Sequence, residues 1–483
     1  MSGIQYAGEY EIENLILFSS SGLMLPLNGL SPHLEIYENI FSSTITGSIT
    51  LLDTNNLILN VPIIGQEYLS FKIKTASLGD DETGIIDYTK NVFAIYKIDA
   101  RLKGTKSELL TLHFASPELL RNYRTRISKS YTNSIDKIVI DVLQNERYLN
   151  SKKELFIEGT TGVRKFVSPN SYPFTFMQKL ATESISEKHK SPYFMFYENK
   201  DGFHFRSLDS LYSQPISAEY NTGEFFHQDR PGTTVPNVLD EYSRLINHQI
   251  VQSNDMVSNV RGGLLASNLI THNIYSKSYD KRTFRYFDPN HNFSRLSDNP
   301  IYNTNAIDEF GNLVDNFTDA NIHLHPTSKV GESDAQHYTM VCEDVIPEGG
   351  VVETYQCRPS APYSPNKIEN SLLHRQAKFM ELKRGVMLKV QAHGMTNMTV
   401  GQTIEIKMAL YGAVHGHKYS QDPHYSGKYL ITHLVHDFNE VPTKKHVITM
   451  TIVKDGYGKK LEQNTDAKEP KKRSRGTVHT NVA

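Results

Sequence analysis

The chain carries one β-pattern twice, once near each end, and that repeat constrains its fold more than any other feature of its 483 residues. Residues 65–75 read Gly-Gln-Glu-Tyr-Leu-Ser-Phe-Lys-Ile-Lys-Thr, and residues 401–408 read Gly-Gln-Thr-Ile-Glu-Ile-Lys-Met. After a similar gap, Phe93-Ala94-Ile95-Tyr96-Lys97-Ile98 matches Tyr429-Leu430-Ile431-Thr432-His433-Leu434. A Thr-Lys turn follows each copy (Thr105-Lys106, Thr443-Lys444) and leads into Leu109–Phe114 and Val447–Ile452. The separations are 335 from Leu69 to Ile404, 336 from Phe93 to Tyr429 and 338 from Leu110 to Ile448. Chance does not hold a spacing across three strands. A subunit built from two equivalent modules presents twice as many equivalent surfaces as it has copies.

The first segment, 1–115, reads almost entirely as strand. Ile45, Gly47, Ile49 and Leu51 alternate with Thr44, Thr46, Ser48 and Thr50, a period of two with one apolar and one hydroxyl face. It is expected to be an antiparallel barrel or sandwich. Residues 116–220 change texture to a small α+β domain. Ser116-Pro117-Glu118 opens one helix, with Ser at the N-cap and Pro at the first helical position. Asn133 or Ser134 caps a second, whose apolar face is Ile135, Ile138, Val139, Val142 and Leu143. Thr175 is expected to cap a third, with Met177, Leu180 and Ala181 inward. Tyr193–Tyr197, the turn Asn199-Lys200-Asp201-Gly202 and Phe203-His204-Phe205 read as a hairpin.

Residues 221–280 are expected to lend strands to the second module, where alternation survives at Leu265, Leu269 and Ile274. Residues 281–375 read as a peripheral insertion ending in a linker helix over Ile368–Glu381. Val386, Leu388 and Val390 open the continuous part of the second copy, in the segment 376–456. The tail 457–483 carries Lys459, Lys460, Lys468, Lys471, Lys472, Arg473 and Arg475 with almost no apolar residue, and disorder is expected. A solvated end is a better reading of that run than a nucleic-acid contact. The fold class is thus α+β and β-dominated.

Composition narrows the function classes. Lys+Arg 51 against Asp+Glu 53 leaves a formal charge of -2, so no global field draws the chain to nucleic acid or an anionic membrane. The N-terminus has neither the basic nor the apolar region of a signal peptide. No apolar run approaches the roughly eighteen residues that span a bilayer. Two cysteines, Cys342 and Cys357, rule out a disulfide framework and fit idle thiols of a reducing compartment. The absence of Trp and the 27 Tyr and 22 Phe fit a β-rich chain.

A search for chemistry is mostly negative. The sequence has no G-x-S-x-G elbow, Walker loop, G-x-G-x-x-G after a strand, or H-E-x-x-H helix. His415-Gly416-His417 with His424, and His323-Leu324-His325, have ligand types and spacing suited to Zn²⁺ or Fe²⁺. Twenty histidines in the chain also produce such pairs by chance in loops, and that reading is preferred. His433 and His436, three apart, cannot share a face of a regular strand. Asp80-Asp81-Glu82-Thr83-Gly84 lacks calcium-loop spacing and reads as a solvated turn. Tyr193, Phe194, Phe196 and Phe203 read as core rather than a stacking platform. No catalytic residue, cofactor or metal ion is expected, and the chain does not read as an enzyme.

The residues do match a family. Val400–Ile406, Gly427–Phe438 and His446–Asp455 resemble the second tube-type barrel of contractile-tail hub proteins. Tyr172–Ala181, followed by Asp201-Gly202-Phe203-His204-Phe205, resembles the α+β segment between the barrels of the same proteins. The chain is similar, over 8–456, to central baseplate hub proteins of contractile-tailed bacteriophages, and more distantly to the hub part of type VI secretion spike proteins. The resemblance implies two tube-like β-barrels flanking an α+β domain, in a virion structural protein assembled in the host cytoplasm. It implies a homotrimer with pseudo-sixfold symmetry that adapts the hexameric tail tube to a trimeric central spike and lines the channel for genome passage. Tape measure and baseplate wedge proteins are further candidate partners; membrane insertion by this chain is not implied. No β-helical extension or lysozyme domain is recognisable. The tips near Gly65-Gln66 and Gly401-Gln402 are expected at the inter-module ring. A tail-associated cell-wall hydrolase and a glycan-binding tail protein are the alternatives.

Overall fold

A computed structural model describes residues 6–28, 30, 32–54, 63–75, 84–104, 107–222, 238–253, 255–264, 266–273, 278–286, 294–297, 299–300, 306–307, 313–314, 336–341, 371–410, 421–440 and 443–457. The Asp80–Glu82 turn, His323, His325, His415, His417, both cysteines and the tail beyond Tyr457 lie outside them.

The chain begins with eight strands: β1 (Tyr10–Phe18), β2 (Met24–Pro26), β3 (His33–Asn39), β4 (Thr46–Asp53), β5 (Tyr68–Thr75), β6 (Ile85–Asp87), β7 (Phe93–Lys103) and β8 (Glu108–Ala115). The mixed part follows: helix α1 (Pro117–Arg124), β9 (Ile127–Asn133), α2 (Ile135–Gln144), β10 (Glu154–Ile157), β11 (Arg164–Ser171), α3 (Pro173–Glu183), β12 (Phe194–Asn199), β13 (Gly202–Ser207) and α4 (Leu208–Tyr212). Then come β14 (Ile216–Asn221), α5 (Val238–Tyr242), β15 (Leu245–Gln252), α6 (Met256–Arg261), β16 (Ala266–Asn273), β17 (Ser278–Arg285), β18 (Asn299–Pro300), β19 (Ala306–Ile307), β20 (Leu313–Val314) and β21 (Gln336–Val341). Helix α7 (Leu372–Arg384) precedes β22 (Val386–His393), β23 (Thr403–Lys407), β24 (Gly427–Asn439), β25 (Lys445–Lys454) and β26 (Gly456–Tyr457).

One 14-stranded sheet dominates, in the order β15-β22-β25-β24-β3-β4-β8-β7-β5-β1-β2, with β14 and β6 joined through β23 and β5. Every pairing is antiparallel except β14 with β23. The sheet serves two apolar cores. One gathers Leu34, Ile36, Ile49, Phe71, Phe93 and Phe114; the other gathers Val390, Ile404, Tyr429, Leu434, Met450 and Ile452. Inward residues alternate with polar ones along each strand, as a half-buried strand requires. The β-dominated class holds. Among the described residues the pairings form one continuous sheet and close neither half into a barrel by themselves.

Gly47 shows why a strand carries its glycine. A Cβ there would sit 2.2 Å from Phe114 Cζ and 2.4 Å from the Glu35 carbonyl oxygen. The aromatic ring of β8 fills the space a side chain would take.

A third core, in the mixed part, packs Ile138, Val142, Phe176, Leu180, Phe194 and Phe203 between α2, α3 and the β12–β13 hairpin. The hairpin pairs Asn199 with Gly202, so its loop is only Lys200-Asp201. Three local expectations are corrected here. Helix α3 begins at Pro173, with Tyr172 as N-cap, not at Thr175. Asn122 Oδ1, from α1, accepts from the Phe174 amide at 2.9 Å and supplies the cap from another segment. Ser116 precedes α1 as expected, but its hydroxyl donates to Glu198 at 2.8 Å rather than capping the helix. The alternation around Leu269 belongs to β16, which pairs with β17 and β21 in a separate sheet. From 221–280 the strand that reaches the large sheet is β15, as expected of that segment, and β14 joins it from just before.

Among the described residues no helix is long and apolar enough to cross a membrane. The linker helix runs to Arg384, three residues beyond the expected Glu381.

Candidate functional site

The point of interest is the seam where the second half of the chain meets the first. Strand β24 is 13 residues long and serves two neighbours on one edge. Its start pairs with β23 (Thr403 opposite Leu430, Ile404 opposite Tyr429). A bulge between Ile431 and His433 then redirects it, and His433–Asn439 pair with Asn39–His33 of β3. Extra residues of this kind increase twist and re-aim a strand.

The seam is apolar inside and polar outside. Phe438, on a strand of the second half, is buried in the core of the first. Its ring lies 5.2 Å from Tyr10 and stacks 4.0 Å from His446. Buried beside it, His436 Nδ1 and His446 Nε2 are 3.0 Å apart. Burial pushes His436 down to about 3 and His446 well below its ordinary value, each reinforced by a nearby cation or the other ring. Both imidazoles are therefore neutral. His433 is exposed, so the two histidines three apart do lie in different surroundings. The fully buried Glu38, at the end of β3, accepts from Thr399 Oγ1 at 2.5 Å and the Val400 amide at 3.0 Å. Burial nonetheless raises its carboxyl to about 7.

On the outer side, His33 Nε2 lies 2.9 Å from Asp437 Oδ1. Glu35 accepts from the Tyr37 hydroxyl at 2.5 Å and Ser48 Oγ at 3.0 Å. Ligand atoms of His33, Glu35 and Asp437 come within 4.8 Å of one another. The carboxylates are already engaged by protein donors, and the group is part of the seam's polar rim.

The sequence repeat reappears as a repeat of hydrogen-bonded register. Leu69 faces Phe93, and Ile404 faces Tyr429. Ile95 faces Phe114, and Ile431 faces Ile452; Ile98 faces Leu112, and Leu434 faces Met450. Each β-ladder has a bulge at the same place, between Ile95 and Lys97 and between Ile431 and His433. One strand further out, Gly47 faces Phe114 and Leu388 faces Ile452. Gly65 and Gly401 both have positive φ, 89° and 83°, a conformation that favours glycine. A Cβ on Gly401 would lie 2.4 Å from the Tyr197 hydroxyl, so this turn packs on the β12 strand, and Gln402 turns back to Asn397 and Thr399.

Two buried ionic knots hold the flanking segments. Lys378 of α7 donates to Glu381 at 2.9 Å, Asp455 at 3.0 Å and the Ser294 carbonyl at 2.6 Å. Glu381 also accepts from the Tyr286 hydroxyl, and Asp455 from the Leu296 amide at 2.9 Å. Burial alone would lower the Lys378 ammonium, but Glu381 and Asp455 outweigh it and raise it well above the usual range. In the second knot Lys153 meets Glu198 at 2.5 Å and Glu118 at 3.2 Å. Nothing in the sequence flagged the His436–His446 pair. The available signal was the inward phase of Leu434, His436 and Phe438, which aims the middle residue at the core.

No family model matches the chain. It is similar to the "Probable baseplate hub protein gp334" of Vibrio phage KVP40, at 22% identity over 413 residues, 84% of this chain and 85% of that protein. The resemblance to phage baseplate hub proteins read from the sequence is borne out by this relative. Among solved structures, a tail protein from Neisseria meningitidis MC58 aligns with 94% of this chain and 99% of its own at 10% identity and TM-score 0.48. The 43 kDa tail protein of prophage MuSo2 from Shewanella oneidensis aligns with 93% and 100% at 8% identity and TM-score 0.48. At TM-scores below 0.5 these likenesses carry no weight on their own.

Proposed function

We propose that the chain is a structural hub of a phage tail baseplate, located in the virion, in which two equivalent β-modules per subunit build a ring. The observation that carries this reading is the similarity to the KVP40 hub protein along most of both chains. The repeated register around the seam supports its finer part. In this reading residues 1–115 and 376–456, the latter completed by strands from 221–280 such as β15, are two tube-like modules; 116–220 is an α+β domain whose last strand, β14, lies against the second module, 281–375 is a peripheral insertion and 457–483 a tail. Three subunits give six similar module surfaces. That arrangement meets a six-fold tube ring on one side while keeping the three-fold symmetry of a central spike on the other. The channel between the modules passes the genome. The hydrolase and glycan-binding alternatives gain nothing from that relative.

Mass photometry with negative-stain imaging of the purified full chain tests the reading. Three-copy particles with a central channel are expected. A monomer, or a closed particle without three-fold symmetry, counts against it.

A further inference from the structure

The seam between β24 and β3 is a template, and the same two strand types recur in the chain's own sheet, as β7, which β5 covers only at Phe93 and Ala94, and as the terminal strand β15. Matching each strand through its ladder partner makes β7 the counterpart of β24. Asp99 faces Thr111 and Leu102 faces Leu109, as Val435 faces Thr449 and Asp437 faces Val447. The same matching makes β15 the counterpart of β3. Gln252 faces Met387 and Gln249 faces Lys389, as Tyr37 faces Thr46 and Glu35 faces Ser48. Yet where β24 pairs with β3 along His433–Asn439, the corresponding end of β7 meets no further strand among the described residues, and β15 ends the sheet.

We infer that β7 of one subunit pairs antiparallel with β15 of the next copy of this chain, with Asp99 opposite Gln252, Leu102 opposite Gln249 and Lys103 opposite His248. This rests on the ring reading above and fixes its missing contact.

The bulges provide an independent check. Relative to the template, β7 carries one extra residue between Asp99 and Leu102, and β15 carries one extra between Gln249 and Gln252. At the seam the corresponding intervals, Val435–Asp437 and Glu35–Tyr37, both lack it. Each irregularity alone would throw the pairing out of step and turn side chains to the wrong face. Together they cancel, and the transferred register stays constant across the interval. Exposed apolar side chains also concentrate on these edges: Leu102, Ile246, Ile250 and Val251. Lys97 and Lys103 on β7 fit the usual protection of an edge against promiscuous pairing. That role alone does not account for the matching extra residues.

Disulfide trapping tests the register. In the full chain with Cys342→Ala and Cys357→Ala, Leu102→Cys is combined with Gln249→Cys. Glu35→Cys with Asp437→Cys, the same pair of positions at the internal seam, is the positive control and is expected to close within one chain. Leu102→Cys with His248→Cys is one residue out of register and is expected not to react, because neighbouring strand residues point to opposite faces. Non-reducing gels of the first variant are expected to show covalently linked chains up to three. A three-copy particle by mass photometry in which this pair stays reduced, while the internal control closes, overturns the strand pairing and leaves the ring reading standing. A monomer under the same conditions overturns both.

Discussion

Phe438 is the residue on which the joint turns, because it leaves its own half of the molecule and completes the core of the other. Truncating it removes a buried ring between Tyr10 and His446. Phe438→Ala is expected to cost about 3–5 kcal/mol, read as a lowered midpoint in guanidinium unfolding. Lys378→Ala strands two buried carboxylates, Glu381 and Asp455, and breaking such a pair costs on the order of 3–5 kcal/mol. The same unfolding assay checks it, and a change under about 1 kcal/mol would rule out this account. Titration acts at this scale too. His436 and His446 are neutral when folded and have depressed values, so their stabilisation is complete above about 6.5, the unfolded value. It is lost as pH falls towards 3, because the unfolded chain takes up protons the folded one refuses. Thermal melts at pH 6.5 and pH 5 in a Glu38→Gln background, which removes an opposing titration in the same window, should show the loss; a flat profile there rejects it. Glu38 has the opposite sign. Its carboxyl titrates near 7 when folded, so stability falls as pH rises from about 4.5 to 7. Glu38→Gln removes the buried charge and keeps an acceptor for Thr399 and Val400. A gain of up to about 2 kcal/mol at pH 8, absent at pH 4, is expected.

At the scale of elements, Gly47 tests how tightly neighbouring strands are fitted. Gly47→Ala forces a methyl group into the Phe114 ring and the β3 backbone, and overpacking of this kind costs about 1–3 kcal/mol. Unfolding midpoints of the variant and the parent check it. Much at this level was readable in the sequence. The strands from Thr46 to Asp53 and the hairpin Phe194–Ser207 follow from period-two alternation and a tight turn, and α2 from its Ile135–Leu143 face. What escaped was partnership. Alternation shows that Leu269 faces inward but not that its strand joins β17 and β21. Ser116 has the right chemistry for a cap, yet a buried carboxylate 82 residues away takes its hydroxyl. Thr175 fits a cap by sequence, but Asn122 from another helix does the work. A local reading cannot see bonds made by distant segments.

At the scale of the whole molecule, the sequence disclosed the repeat and the relative class but not the joint. His33 and Asp437 are 404 positions apart, and no window of residues carries a sign that β3 and β24 are neighbours. The shared strand adds a mechanical consequence. Because β3 and β24 run antiparallel, with His33 opposite Asn439 and Asn39 opposite His433, a pull along the strands from the His33 end of β3 and the His433 end of β24 loads the seven facing pairs in shear together, rather than peeling them one by one. The joint should therefore behave as a stiff coupling that transmits thrust with little give. Single-molecule stretching between residues 32 and 427, which load opposite ends of this ladder, is expected to show one high-force rupture, whereas a series of small steps would mark a compliant hinge.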